Sequence, residues 1–227
     1  MISHRHVASL GSTDLGWIRA RHHFCFAGAQ NVDLLNWGAL RAVNHNILVP
    51  NAATTPVTHY GTEVMHIVED GAIDFVRLNG EATRVRRGQI LSTYSGSGLH
   101  FSIANALDVD AVYTEIWLTC EAPHDPALVR RLRQRQPQEN QVIASTHDTG
   151  SYRLKCTATI TKHHVPTGLP VNIPIAAASA YAFLLQGVVT HDGTTIGRYE
   201  GIAIEAEKRL VMSGEDNAEI ILIEMSA

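Results

Sequence analysis

The sequence predicts an all-β protein of two strand-rich halves joined by one short helix. Three observations carry this expectation. Apolar runs bounded by glycine turns recur along the chain, the two halves repeat one pattern, and a single helical stripe lies between them. A chain of 227 residues, 45% hydrophobic and only 18% charged, with 17 glycines, has the balance that short strands and glycine turns produce.

In the first half, Glu63–Asp70 runs into Gly71, and Ala72–Leu78 runs into Asn79-Gly80, a pair that tolerates the positive φ of a tight turn. Gln89–Tyr94 and Asp110–Thr119 read as further strands. In the second half, Tyr152, Leu154, Cys156, Ala158 and Ile160 alternate with Arg153, Lys155, Thr157 and Thr159, which predicts one half-buried strand. Asn217–Met225 closes the chain as a buried strand. Between the halves, Asp125 is positioned to cap a helix, Pro126 suits its first turn, and Leu128, Val129 and Leu132 form its apolar stripe, with Pro137 beyond its end. The expected organisation is an N-terminal domain over 1–122 that includes the N-terminal arm, a helical linker over 123–140 and a C-terminal domain over 141–227. The halves echo each other through Gly71 and Gly187, then Gly88 and Gly201, with Asp192-Gly193 as a turn in the second.

Composition excludes several function classes. A net charge of −4 argues against a nucleic-acid binder, and Arg130, Arg131, Arg133 and Arg135 read as the solvated face of the predicted helix. The first residues are too polar for a secretion signal, and no apolar run approaches the length of about 20 residues that spans a membrane. The three cysteines, Cys25, Cys120 and Cys156, are odd in number and far apart, without zinc-ligand spacing. They predict no disulfide framework and a cytoplasmic, reduced protein. Cys120, at a strand end before Glu121, is the candidate for exposure and oxidation sensing. Gly96-Ser97-Gly98-Leu99-His100 lies between strands rather than before a helix, so it is not a phosphate cradle.

Several segments resemble the pirin family of double cupins, in the correct order over residues 15 to 120. They are Gly16-Trp17…His22-His23-Phe24-Cys25-Phe26, Trp37-Gly38-Ala39-Leu40-Arg41-Ala42-Val43-Asn44, Gly96-Ser97-Gly98-Leu99-His100 and Glu115-Ile116-Trp117-Leu118. The resemblance implies two cupin-type β-barrels. It also implies a mononuclear metal in the N-terminal barrel, held by a His-x-His on one strand and a His-x-Glu on another. Residues two apart on a strand share a face, as converging ligands require. Imidazole and carboxylate together suit iron, copper or a similar metal, and the family includes enzymes that open quercetin-like flavonols with dioxygen.

Carried onto this chain, the His-x-His positions are Val57 and His59, and the His-x-Glu positions are Phe101 and Ile103. The remnant ligand is His59. His100 is one residue from the expected place and should face the opposite side, and Glu63 stands where some cupins place a carboxylate. Asn105 keeps the family's trailing asparagine and supports this register. The pair His22-His23 diverges as strand neighbours do, His163-His164 precedes Pro166 in surface structure, and His66 reads as a tolerated barrel residue. The resulting expectation is a pirin-like protein with a degenerate metal site and no cofactor. Its pocket, lined by Val57, His59, Glu63, His100, Phe101 and Ile103, would be filled or take a small apolar molecule in a binding or regulatory role, with any protein partner unspecified. The alternative is a quercetin 2,3-dioxygenase-type enzyme using iron, copper or another divalent metal at His59.

Overall fold

Most runs that alternate or are apolar between glycines form strands. The computed structural model describes residues 1–25, 35–120, 124–133, 140–147 and 151–225. The first strands are β1 (Ile2–Arg5), β2 (Gly11–Asp14), β3 (Ile18–His22), β4 (Leu40–Leu48), β5 (Val57–His59), β6 (Thr62–Asp70), β7 (Ala72–Arg77) and β8 (Ala82–Arg86). They continue as β9 (Gln89–Tyr94), β10 (Leu99–Ala104), β11 (Ala111–Thr119), β12 (Leu128–Arg133), β13 (Gln141–Ser145), β14 (Tyr152–Arg153) and β15 (Ala158–Val165). The last are β16 (Pro170–Pro174), β17 (Ser179–Gln186), β18 (Val189–His191), β19 (Thr194–Ile196), β20 (Gly201–Glu205), β21 (Arg209–Gly214) and β22 (Ala218–Met225). Among the described residues, the one helical element is a 3₁₀ turn at Val7–Ser9, and no helix is long and apolar enough to cross a membrane.

The strands divide into two units. The N-terminal unit, residues 11–36 and 40–134, faces a seven-stranded sheet (β12-β9-β6-β11-β4-β3-β2) with a four-stranded one (β5-β10-β7-β8). Leu48, Val68, Phe75, Leu91, Phe101 and Tyr113 pack in its core. The C-terminal unit, residues 1–10, 37–39 and 135–227, repeats the plan with β1-β20-β17-β22-β15-β13-β14 and β16-β21-β18-β19. Ile175, Leu184, Ile202, Leu210, Met212 and Leu222 belong to its core. The fold is therefore the expected pair of cupin-type barrels.

Two glycines mark the duplication. Gly71 and Gly187 both have positive φ, and a Cβ on either would strike backbone at the start of the last long strand of its unit, Asp110–Ala111 for Gly71 and Asn217–Ala218 for Gly187. The second predicted pair is corrected. Gly88 donates its N–H to the Val68 carbonyl at 3.2 Å, and its counterpart is Tyr199, which donates to the Leu184 carbonyl at 2.8 Å with φ 65. Val68 and Leu184 each stand three residues before the matched glycine, so Tyr199 and not Gly201 fills that place.

The predicted linking helix is a strand. Residues 128–133 pair antiparallel with β9 along their whole length, and Arg131 donates to the Arg84 carbonyl at 2.9 Å. The spacing of Leu128, Val129 and Leu132 fits a helical stripe, but an unpaired β9 edge offers a full ladder of backbone partners, and pairing satisfies it. Asp125 is no helix cap; its carbonyl accepts from the Ser97 N–H at 3.0 Å. Gly96 makes that approach feasible, because any Cβ there would collide with the Asp125 carbonyl. Phe26, Pro137 and the linker residues 123 and 134–139 lie outside the described residues.

Two further expectations are corrected. Residues 1–10 belong to the C-terminal unit, because β1 pairs with β20 and Ile2 packs on that unit's core. The alternating run from Tyr152 to Ile160 is not one strand: β14 pairs parallel with β13, and the antiparallel ladder resumes at Ala158. At the break, the Thr146 hydroxyl donates to the Cys156 carbonyl at 2.6 Å and accepts from the Ala158 N–H at 2.8 Å.

Asn105 is a staple. Its buried amide nitrogen faces the carbonyls of Leu48, Val49 and Val109 at 2.9, 3.1 and 2.8 Å, and its oxygen accepts from the Leu107 N–H at 3.0 Å. Asn105→Ala should therefore destabilise the chain by about 2–4 kcal/mol in urea denaturation, since several buried backbone carbonyls lose their donor together. A cost near zero would show that solvent replaces the amide.

Candidate functional site

Burial of polar groups separates the two barrels. Of the buried polar residues described, Arg5, Ser145, Lys162 and His191 belong to the C-terminal unit, and the other twelve belong to the N-terminal one. A buried polar group costs free energy unless it is paired, so such a concentration marks a place where the fold serves something other than packing.

The ladder registers line up three of these groups, His22, Asn44 and His66, with the half-buried Glu115 across the seven-stranded sheet. His22 lies opposite Asn44, Asn44 opposite Glu115, Glu115 opposite His66, and His66 opposite Leu91. Alternation puts Tyr113, Glu115 and Trp117 on one face of β11, and His66 on the same face of β6 as Val68, which packs in the core. Hydrogen bonds connect the row. Thr13 Oγ1 meets His22 Nε2 at 2.9 Å, His22 Nδ1 donates to Asn44 Oδ1 at 2.9 Å, and Asn44 Nδ2 reaches Glu115 Oε2 at 3.5 Å. Trp117 Nε1 donates to the same Glu115 oxygen at 3.3 Å. On the far side, Glu115 Oε1 lies 3.4 Å from His66 Nε2. That is an ion-pair distance rather than an aligned hydrogen bond, and among the described residues neither ring nitrogen of His66 has an aligned partner.

The carboxylate sets the electrostatics. Burial alone would raise the Glu115 pKa, but the His66 imidazole and the Asn44 and Trp117 donors outweigh it and hold the carboxyl below its usual range. Tyr113 is pushed well up by burial and by the Glu115 charge. Burial, together with the nearby His66, lowers the His59 pKa against the pull of Glu115. His22 is likewise lowered by burial, against Asn44 and Glu115.

Aromatic rings flank this row. The His59 ring centroid is 4.6 Å from Trp117 and 5.0 Å from Phe101, and Phe101 stacks on Phe75 at 4.7 Å. Phe101 pairs with Val57 and Leu99 with His59 across β10 and β5, so Val57, His59 and Phe101 share one face. Phe101 and Ile103 are both in the core, while Val57 sits at an open edge, 42% exposed. The cupin metal does not fit this set. Phe101, Ile103 and Val57 offer hydrocarbon where a cation needs lone pairs, and one imidazole does not make a coordination sphere.

The other sequence candidates do not join the site. His100 faces away from Phe101 and meets the Thr58 hydroxyl at 2.8 Å. Glu63 is fully buried, but it alternates with Val64 and His66, so it lies on the opposite face, where Ser92 Oγ donates to it at 3.3 Å. Cys120 is corrected too. It is buried rather than exposed, and neither Cys120 nor Cys156 is a free thiol, which overturns the expectation of no disulfide. Cys25, half-buried, is in no disulfide. The adjacent pair His22-His23 diverges as expected of neighbours. His22 joins the row, while His23 meets His45 at 2.9 Å, whose Nδ1 reaches Thr114 at 2.7 Å.

Sequence reasoning read His66 as a tolerated barrel residue and gave Glu115 no role in the site. The signal was present: each is a titratable residue at an inward position of a strand whose other inward positions are apolar or aromatic.

Comparison with known proteins agrees with this fold. Residues 141–225 match a family model described as a quercetinase C-terminal cupin domain. A pirin-like protein of Caulobacter vibrioides is 24% identical over 99% of both chains. The quercetin 2,3-dioxygenase of Escherichia coli K12 is 21% identical over 99% of both. Among solved structures, a bacterial pirin of Escherichia coli in complex with nickel(II) superposes with a TM-score of 0.93 over 100% of both chains, at 20% identity.

Proposed function

We propose that this chain is a pirin-like double cupin whose N-terminal barrel binds a small aromatic molecule without a metal, in a binding or regulatory role. The observation that carries the reading is the exchange of ligand chemistry inside one barrel. In this reading the family's coordinating positions, Val57, Phe101 and Ile103, carry hydrocarbon, and the polar role falls to the row that ends at His66. Aromatic rings from His59, Phe101 and Trp117 would stack on a flat ligand, and Glu115 would accept a hydrogen bond from its hydroxyl. Such a site combines apolar walls with few polar groups, as small-molecule sites generally do.

Quercetin is a suitable probe. Titration should quench tryptophan fluorescence, with Glu115→Gln weakening binding tenfold or more, and no flavonol should be consumed after addition of iron, copper or manganese. A second reading, metal-dependent flavonol oxygenation, is favoured by the activity named for the Escherichia coli relative. Turnover that disappears in His59→Ala would establish it and end the metal-free reading. No quenching by quercetin or by simple phenols would end the binding role.

The ligand positions can also be tested by restoring them. Val57→His, Phe101→His and Ile103→Glu together should add one metal equivalent over the wild type, lost again when His59→Ala is included. A folded triple variant that gains none would show that these four side chains do not converge.

A further inference from the structure

We propose that His4 and His191 form a divalent-metal site at one end of the C-terminal barrel, independent of the N-terminal site. Both side chains are placed by strand alternation. On β1, Ile2 packs on the core of this unit, and His4, two residues on, shares its face. On β18, Val189 belongs to the same core, and His191 follows at the same spacing, 4% exposed. One imidazole thus comes from each of the unit's two sheets.

They meet at a distance suited to a shared cation. His4 Nε2 lies 3.2 Å from His191 Nδ1, with the rings nearly perpendicular. Two nitrogens at the usual zinc–imidazole distance of about 2.0–2.1 Å and this far apart subtend an angle of about 100°, close to tetrahedral. The same spacing serves a hydrogen bond when one ring donates, so the experiment must separate the two.

The surroundings favour a cation. The carboxylates of Asp192 and Glu200 bring negative charge near His4. The outer nitrogen of His191 stands 3.9 Å from the exposed Asp192 carboxylate, too far for a hydrogen bond but close enough to add negative charge. Glu200 brings a second carboxylate 3.3 Å from His6, and the Val7 and Gly197 amides fix it in place. The His6 ring is 6.2 Å from that of His4, near enough to supply a third ligand after a change of rotamer. An imidazole-rich site of this kind selects zinc, nickel or copper over magnesium or calcium.

The full chain, stripped with EDTA, is titrated with Zn²⁺ and Ni²⁺ by calorimetry and with Co²⁺ by visible absorption. One equivalent should bind. His4→Gln and His191→Gln should each weaken it tenfold or more with near-UV circular dichroism unchanged, His6→Ala should weaken it less, and His59→Ala should leave it intact. Should the variants misfold, protection of His4 and His191 from diethyl pyrocarbonate by Zn²⁺ in the wild type, read by peptide mass spectrometry, serves instead. Folded variants that bind as the wild type does, no binding above background, no protection, or loss of the site in His59→Ala would each overturn the proposal. The last outcome would place the metal in the N-terminal barrel.

Discussion

Gly187→Ala is expected to prevent the C-terminal barrel from folding, whereas Gly193→Ala, six residues on, should cost only about 1 kcal/mol. Both glycines have positive φ, 78° and 75°, so an alanine is strained at either. They differ in what surrounds them. A Cβ at Gly193 meets nothing within 4 Å, while one at Gly187 would strike the Asn217 carbonyl and come within 2.6 Å of Ala218 Cα and 2.8 Å of its Cβ. Ala218 is fully buried at the start of β22, the strand held between β17 and β15, so the obstacle is backbone fixed on both sides. Left-handed strain of about 1–2 kcal/mol and overpacking of about 1–3 kcal/mol then add. Their sum approaches the lower end of a domain's whole stability, about 5 kcal/mol. Gly71→Ala should fall between the two, because its nearest obstacle, the Asp110 carbonyl, is 2.7 Å away and the next atom is at 3.3 Å. Urea denaturation of the three variants tests the order. Equal losses at Gly187 and Gly193 would mean that backbone conformation alone, and not close approach, governs these positions.

These glycines also show what the sequence discloses and what it does not. Gly71 and Gly187 are legible as strand punctuation, and so are the strands on either side, because period-two alternation and positive-φ turns are local properties. Their shared role against Asp110–Ala111 and Asn217–Ala218 is a tertiary fact that no local pattern contains. The residues at 128–133 show the opposite failure. Leu128, Val129 and Leu132 fit a helix as isolated sequence, and only the open edge of β9 makes them a strand. At the site, two-residue spacing places Val57 with His59 and Phe101 with Ile103, and the ladder sets Phe101 across from Val57. His66 was legible only as a tolerated barrel residue, and Glu115 only as part of a family segment, because they are far apart in the chain and meet only through the pairing of β6 with β11. A family motif directs attention to the positions it names, and here the charge sits on a different strand pair.

The pair itself gives the second large effect. His66→Leu should cost about 1–3 kcal/mol, the range for taking one partner from a buried polar group. Glu115 would keep the Asn44 and Trp117 donors at 3.5 and 3.3 Å but lose the imidazole at 3.4 Å. Replacing both residues, in His66→Leu with Glu115→Leu, should recover at least half of that loss, since no buried charge then lacks a partner. The pH dependence carries the same signature with a definite sign. The folded-state pKa of Glu115 is depressed below the ordinary value of 4.5. Its contribution is therefore fully present above the ordinary carboxylate range and is lost as pH falls through the lower, folded-state value. Wild-type stability should decline on acidification below about pH 5, and Glu115→Gln should flatten that part of the profile. A double variant no more stable than His66→Leu, with an acid limb unchanged in Glu115→Gln, would show that the contact across β6 and β11 carries no electrostatic coupling, and that the row from His22 to His66 is held by packing alone.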